Sequence, residues 1–172
     1  MRGLALALLS LPLAAQAEPQ PAVAALMHYT DNVATCLDDT VTVEQAEACI
    51  GFASKTCMDT EEGGFSTTGM MFCTLAEYEA WDVELNRAYR RAMEDLRKMD
   101  AQEAEAFPEF ADRADSLRTA QRAWIPLRDG DCALEYAMWG SGSMRQIAGA
   151  SCLLDKTAER TIYLRFLGRD MQ

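Results

Sequence analysis

The run Tyr78-Glu79-Ala80-Trp81-Asp82-Val83-Glu84-Leu85-Asn86-Arg87-Ala88-Tyr89 decides the fold class. Tyr78, Trp81, Leu85 and Tyr89 recur at three- and four-residue spacing, and Ala92, Leu96 and Met99 continue the series. Arg87, Arg90, Arg91, Glu94 and Lys98 occupy much of the remaining surface. A stripe of that period is one face of an amphipathic helix. The spacing predicts a helix of about thirty residues, about 45 Å long at 1.5 Å per residue. No segment shows a convincing strand pattern, so an all-α chain is expected.

Working outward, a first helix is expected from about residue 22 to 37. Thr42-Val43-Glu44-Gln45 has the form of a capping box and should open a second helix ending near Met58. Residues 61–69 hold three glycines and read as a loop. After the long third helix, Pro108 suits the first turn of a fourth, whose buried stripe would be Phe110, Leu117, Trp124 and Leu127. Pro126 lies inside that pattern and should bend the helix or break it near Trp124. Ser143-Met144-Arg145-Gln146 is a second capping-box sequence. It should open a last helix carrying Ile147, Leu154, Ala158, Ile162 and Phe166, with Gly168 as its stop. The reading is about five helices.

Six cysteines sit in pairs about the turns. Cys36 and Cys49 flank residues 38–42, Cys57 and Cys73 flank Gly63-Gly64, and Cys132 and Cys152 each lie ten residues from Gly142. Antiparallel helices joined by a short turn place such residues at one height. If Cys49 and Cys57 share a helix, about 12 Å of rise separates them, too far for a bond whose α-carbons must lie within about 7 Å. The expected pairs are Cys36–Cys49, Cys57–Cys73 and Cys132–Cys152, stapling antiparallel hairpins. Such a framework implies an oxidising compartment.

The N-terminus points the same way. Arg2 is followed by an apolar run from Gly3 to Ala15 and by the small-x-small site Ala15-Gln16-Ala17. Residues 1–17 are read as a signal peptide and residues 18–172 as a single helical domain. The apolar run falls short of the roughly 20 residues of a membrane span, and no membrane insertion is expected after cleavage. Loss of Arg2 would take the formal charge from −11 to −12. A chain this acidic is a poor ligand for nucleic acid but would attract a cationic protein.

The second half carries a signature: Cys73-x8-Asp82-x2-Leu85-Asn86-x2-Tyr89, then Gln121-x2-Trp124-x3-Arg128-Asp129-x2-Cys132, then Cys152-x4-Thr157-x2-Arg160. It resembles the family of small secreted bacterial proteins named for the lysozyme inhibitor LprI, over residues 57–167. The resemblance implies an all-helical periplasmic or envelope protein, with lysozyme inhibition in some members. Pro126 and the Cys36–Cys49 hairpin depart from the family pattern.

Two groups of residues are candidates for function. Asp82, Asn86, Gln121, Arg128 and Arg160 interrupt or border the apolar stripes, and buried polar groups must find partners. Their plainer reading is an interhelical network fixing helix register; the sharper one is ligand binding. Trp139, Gly140, Ser141, Gly142 and Ser143 form the other group. They read either as a hairpin turn or as a recognition loop whose serines enter the carboxylate-lined cleft of a cationic lysozyme.

Catalysis finds little support. His28 is the sole histidine, and there is no nucleophile elbow, no Cys-x-x-Cys and no phosphate-binding glycine loop. Asp129-Gly130-Asp131 lacks the remaining ligands of a calcium loop. No cofactor, metal or catalytic residue is expected. The sequence reads as a secreted or periplasmic binding protein, with lysozyme inhibition as one expectation and a non-inhibitory envelope protein, binding another protein or a cell-wall fragment, as the other.

Overall fold

The computed structural model describes residues 18–168, so the expected signal peptide lies outside the described residues. All regular structure among them is helical. Short N-terminal pieces are α1 (Pro21–Ala24), a 3-10 turn (Met27–Thr30), α2 (Asn32–Asp38), α3 (Val43–Glu47) and α4 (Phe52–Thr60). Three long helices follow: α5 (Thr67–Glu103), α6 (Arg113–Met138) and α7 (Met144–Phe166).

Helix α5 is the spine, 37 residues long rather than about thirty. It starts within the expected loop because Ser66 caps it, its Oγ accepting the Gly69 N–H at 3.0 Å. The stripe predicted for it is buried at Trp81, Leu85 and Ala92, partly covered at Tyr78, Tyr89 and Leu96, and exposed by Met99. Gly64 and Gly69 allow α4 and α5 to meet closely: a β-carbon on Gly64 would strike the Met58 backbone, and one on Gly69 the Gly63 and Gly64 carbonyls.

The first two expected helices are interrupted. In the first, residues 25–31 tighten into turns between α1 and α2. In the second, Gly51 adopts φ +83°, which ends the α3 segment and starts α4. Cys49 and Cys57 therefore do not share a helix. Thr42 does form the expected capping box with Gln45. Pro108 lies in a 3-10 turn ahead of α6, not in its first turn. Pro126 does not break α6, which continues through it. Of the stripe expected there, Leu117 is buried and Trp124 partly so, but Phe110 and Leu127 are exposed. Ser143 is not a capping residue: its backbone is already helical and its side chain makes no cap hydrogen bond. Gly168 follows α7 at φ +77°, as a helix stop does.

All three expected disulfides are present, with α-carbon separations of 6.0 Å for Cys36–Cys49, 5.6 Å for Cys57–Cys73 and 5.4 Å for Cys132–Cys152. Two apolar clusters lie along the spine. One gathers Val33, Leu37, Ala46, Ala53, Trp81, Leu154, Ala158 and Ile162 around the Cys36–Cys49 staple. The other joins Leu85, Ala88, Ala92, Met93, Ala114, Leu117 and Leu164.

Carboxylates on or near α5 tie the pieces together. Glu77, fully buried, accepts the Gly51 N–H at 2.7 Å, the Ser54 N–H at 2.6 Å and the Trp81 indole N–H at 3.1 Å. It thereby caps α4 from a neighbouring helix. Asp100 caps α6 in the same way, accepting the N–H groups of Arg113 at 3.1 Å and Ala114 at 2.9 Å. Asp38 pairs with Arg87 of α5 and Arg165 of α7, and Arg165 also donates to the Leu37 carbonyl at 2.7 Å.

Candidate functional site

Arg128 is the centre of a cluster where α5, α6 and α7 meet. It points inward from α6 and is buried, an unusual place for a charge. Its Nε donates to the Asp129 carboxylate at 2.9 Å, and its Nη2 lies 2.8 Å from the same oxygen as an ion pair. Its Nη1 donates to Thr157 Oγ1 at 3.2 Å and lies 3.8 Å from Asp82. Asn86 in turn donates to the Asp82 carboxylate at 3.1 Å and to the Asp82 backbone carbonyl at 2.8 Å. Four residues separate Asp82 from Asn86, which places both on one side of α5.

A second arginine extends the cluster. Arg160 of α7 donates from Nε to Gln121 Oε1 of α6 at 2.9 Å. The two guanidiniums alternate with aromatic rings. Arg128 lies 5.7 Å from the Tyr78 ring centre and 5.1 Å from that of Trp124; Arg160 lies 5.8 Å from Trp124 and 4.9 Å from Tyr163. The order Tyr78–Arg128–Trp124–Arg160–Tyr163 runs across all three long helices. The planar guanidinium suits such stacking because it is weakly hydrated.

Burial shapes the acid–base behaviour here. It holds Asp82 above the ordinary carboxylate range, against the opposing pull of Arg128 and Asn86. Glu79 is raised by burial and then by the neighbouring Asp82. Tyr78 is raised by burial, with Arg128 acting the other way. Arg160 is lowered by burial, opposed by Tyr163. The cluster contains no paired nucleophile and base. Its groups chiefly bond one another, across all three long helices.

Asp82, Asn86 and Arg128 thus come together, and Gln121 and Arg160 meet beside them. Trp139, Gly140, Ser141, Gly142 and Ser143 stand apart, at the tip between α6 and α7. Arg128 and Trp139 are about 16 Å apart by helical rise. The tip is wound by backbone bonds, with the Gly140 N–H on the Ala137 carbonyl at 3.0 Å and the Gly142 N–H on the Trp139 carbonyl at 2.9 Å. Below it, Arg145 stacks 4.1 Å from the Tyr136 ring centre, Gly149 lets that ring approach α7, and Cys132–Cys152 joins the two helices. The tip itself faces solvent: Met138 is 75%, Trp139 47% and Met144 41% exposed. A groove of about 530 Å³ lies at its base, lined in part by Met71, Leu75, Tyr136 and Leu153.

Glu77 and Asp100 are not singled out by the sequence reading. For Glu77 a signal existed, since it stands four residues after Cys73 and four before Trp81 in the buried stripe. Tyr163 had none, being an exposed aromatic on the last helix. His28 is exposed, with Nδ1 3.0 Å from the Ala25 carbonyl oxygen.

Residues 57–164 match the family described as lysozyme inhibitor LprI. The chain belongs to the lysozyme inhibitor LprI family. The matched span starts at Cys57 and holds two of the three disulfides together with the whole arginine–aromatic cluster. The Cys36–Cys49 hairpin lies before it. The chain is also 33% identical, over 102 residues, to an uncharacterized protein of Rhizobium meliloti (strain 1021), covering 59% of this chain and 73% of that protein. No solved structure gives a significant match.

Proposed function

We propose that this protein is an extracytoplasmic inhibitor that binds a cationic lysozyme through the α6–α7 tip. The observation that carries the reading is the exposed trio Met138, Trp139 and Met144 on a turn whose two helices are joined by a disulfide about 9–12 Å below it by helical rise. Large apolar side chains displayed together on a rigid support form a typical anchor for a protein partner. A stapled tip loses little conformational freedom on binding, so more of its contact energy appears as affinity.

Three further facts support it. The family is described as lysozyme inhibitor LprI. Disulfides persist outside the reducing cytosol, in the periplasm or the medium, where lysozymes act. The formal charge of −11 would steer a cationic enzyme toward the protein. In the bound complex Ser141 or Ser143 donates a hydrogen bond to the carboxylates that carry out glycoside hydrolysis, and Trp139 packs at the cleft edge. The protein has no catalytic role of its own in this reading.

The test is a lysis assay, with oxidised protein added to several lysozyme types acting on bacterial cells. Protection at micromolar protein is expected, and it should be lost in Trp139→Ala and Gly142→Trp and weakened in Ser141→Ala. No protection against any lysozyme would end the inhibitor reading. Protection that survives all three substitutions would remove the tip from it.

A further inference from the structure

We propose that the cleft beside Arg160 binds a small amphiphile with an oxyanion head. The observation is an arginine that lacks an anion. Arg87 pairs with Asp38 and Glu84, Arg113 with Asp100 and Glu103, Arg128 with Asp82 and Asp129, and Arg165 with Asp38. Arg160 is partly buried, yet among the described residues no carboxylate lies within ion-pair distance of it, or of Arg145, which stacks on Tyr136 near the tip. The chain has 27 acidic residues against 16 basic ones, so carboxylates are not scarce.

Arg160 is nevertheless held in place. Gln121 fixes its Nε, while Trp124 and Tyr163 flank the guanidinium. The aromatic faces offset part of the cost of desolvating the cation. They do not use its in-plane donors. Nη1 and Nη2 have no protein acceptor among the described residues, and neither is sealed from solvent. Two parallel N–H groups on an immobilised fork match a carboxylate or a phosphate.

The surroundings supply the rest of the ligand's shape. Arg160 lines a cleft of about 910 Å³ between α5, α6 and α7. Ligand pockets span roughly 300–1,000 Å³. Leu96, Leu117 and Leu164 contribute an apolar floor continuous with the second core cluster. Arg87, Arg91, Arg113 and Arg165 line the cleft as well, against only Glu84 and Asp95 among the acids. Arg87, Arg113 and Arg165 are already matched by Asp38, Glu84, Asp100 and Glu103, so among the described residues the lining arginines left without a carboxylate are Arg160 and Arg91. An apolar tail would rest on the leucines while the head bonds Arg160, with Arg91 adding attraction from the surface.

The site is separate from the tip and does not rest on the inhibitor reading. Calorimetric titration of the oxidised full chain tests it with four probes: decanoate, decyl phosphate, 1-decanol and acetate. We expect decanoate, decyl phosphate or both to bind, and their ratio tells a carboxylate site from a phosphate site. The neutral alcohol should bind at least tenfold more weakly, and acetate should give no saturable heat at the same concentrations. Arg160→Met should reduce affinity for the bound anion at least tenfold. Ala120→Trp, an exposed position on the cleft wall, should do the same by occlusion, and it decides the matter if Arg160→Met fails to fold. Trp139→Ala should leave binding unchanged. No binding by either anion up to millimolar, equal binding of 1-decanol, or undiminished binding in the folded variants would overturn the proposal.

Discussion

The carboxylate of Glu77 accepts the backbone N–H of Ser54 at 2.6 Å, across 23 residues of sequence. One buried side chain on α5 thereby does for α4 what a local capping residue normally does. It is also the acceptor for the Gly51 N–H and the Trp81 indole. Removing it would strand the buried Ser54 N–H and Trp81 indole together with the part-buried Gly51 N–H, and each unmet buried donor costs about 1–3 kcal/mol. Glu77→Ala is expected to destabilise the oxidised protein by roughly 3–5 kcal/mol, and Glu77→Gln by less, because its amide oxygen keeps part of the set. Urea unfolding measures both. A loss below about 1 kcal/mol in Glu77→Ala would show that water replaces the carboxylate at little cost.

The pH dependence of stability has two limbs of opposite sign. Asp38 lies below the ordinary range chiefly through its hydrogen bond to Arg87, and Asp100 chiefly through the Ala114 N–H. A depressed carboxylate contributes stability above its unfolded pKa, near 4, and loses it as pH falls through the folded value. Asp82, Glu79 and Asp155 are raised, in each case mainly by burial, so they oppose folding increasingly as pH rises through their folded values. The thermal midpoint should therefore pass through a maximum in mild acid and fall below about pH 4. Asp38→Asn with Asp100→Asn should flatten the acid limb, and Asp82→Asn the upper one. Unchanged limbs in these variants would mean that other groups set the profile.

Arg128 tests whether the cluster depends on the shape of a guanidinium or only on charge. Lysine keeps the charge but cannot donate to Asp129, reach Thr157 and stack on Tyr78 and Trp124 at once. Arg128→Lys should cost about 1–2 kcal/mol by denaturant unfolding, less than breaking a fully buried ion pair because Asp129 is 55% exposed and lysine keeps the charge. An effect within about 0.5 kcal/mol would reduce Arg128 to a surface charge.

The disulfides separate stability from recognition. Each closed loop, of 13, 16 or 20 residues, should contribute about 3 kcal/mol by restricting the unfolded chain. Replacing either Cys36 and Cys49 or Cys132 and Cys152 by serine should lower the thermal midpoint comparably. Only the second pair lies beneath the tip, so only its loss should weaken protection in the lysis assay beyond what unfolding explains. Equal loss of protection in both variants would argue against a stapled recognition tip.

Patterns confined to one helix or one turn were legible in the sequence. The period of Trp81, Leu85 and Ala92 announced α5, equidistance about turns announced the three cysteine pairs, and Thr42 with Gln45 announced a cap. The readings that failed depended on backbone geometry or distant partners. Ser143 has the spacing of a capping residue, but its helical backbone removes it from that role. The interruption at Gly51 is stabilised in part by Glu77, whose bond to it spans 26 residues. On α6 the expected stripe failed at Leu127 because the inward positions are taken by Gln121 and Arg128, while leucine faces water. Polar residues in a signature can therefore be the interior of a helix, and its apolar residues the outside.

Pro126 sharpens that last point. It sits at the middle of α6, exposed, and the helix passes through it without interruption. A proline there removes the hydrogen bond to the carbonyl four residues back and crowds it, at a cost of about 3 kcal/mol against alanine. The helix survives because its inward face is anchored on both sides of the proline, by Gln121 with Arg160 before it and by Arg128 with Asp129 and Thr157 after it. Pro126→Ala is therefore expected to stabilise the protein by about 1–3 kcal/mol, read as a rise of several degrees in thermal midpoint. The gain should shrink in an Arg128→Lys background, where the second anchor is already weak and less of α6 is ordered. If Pro126→Ala proved neutral or destabilising, the pyrrolidine ring must make contacts that offset the missing bond, and the outer face of α6 would then need a partner.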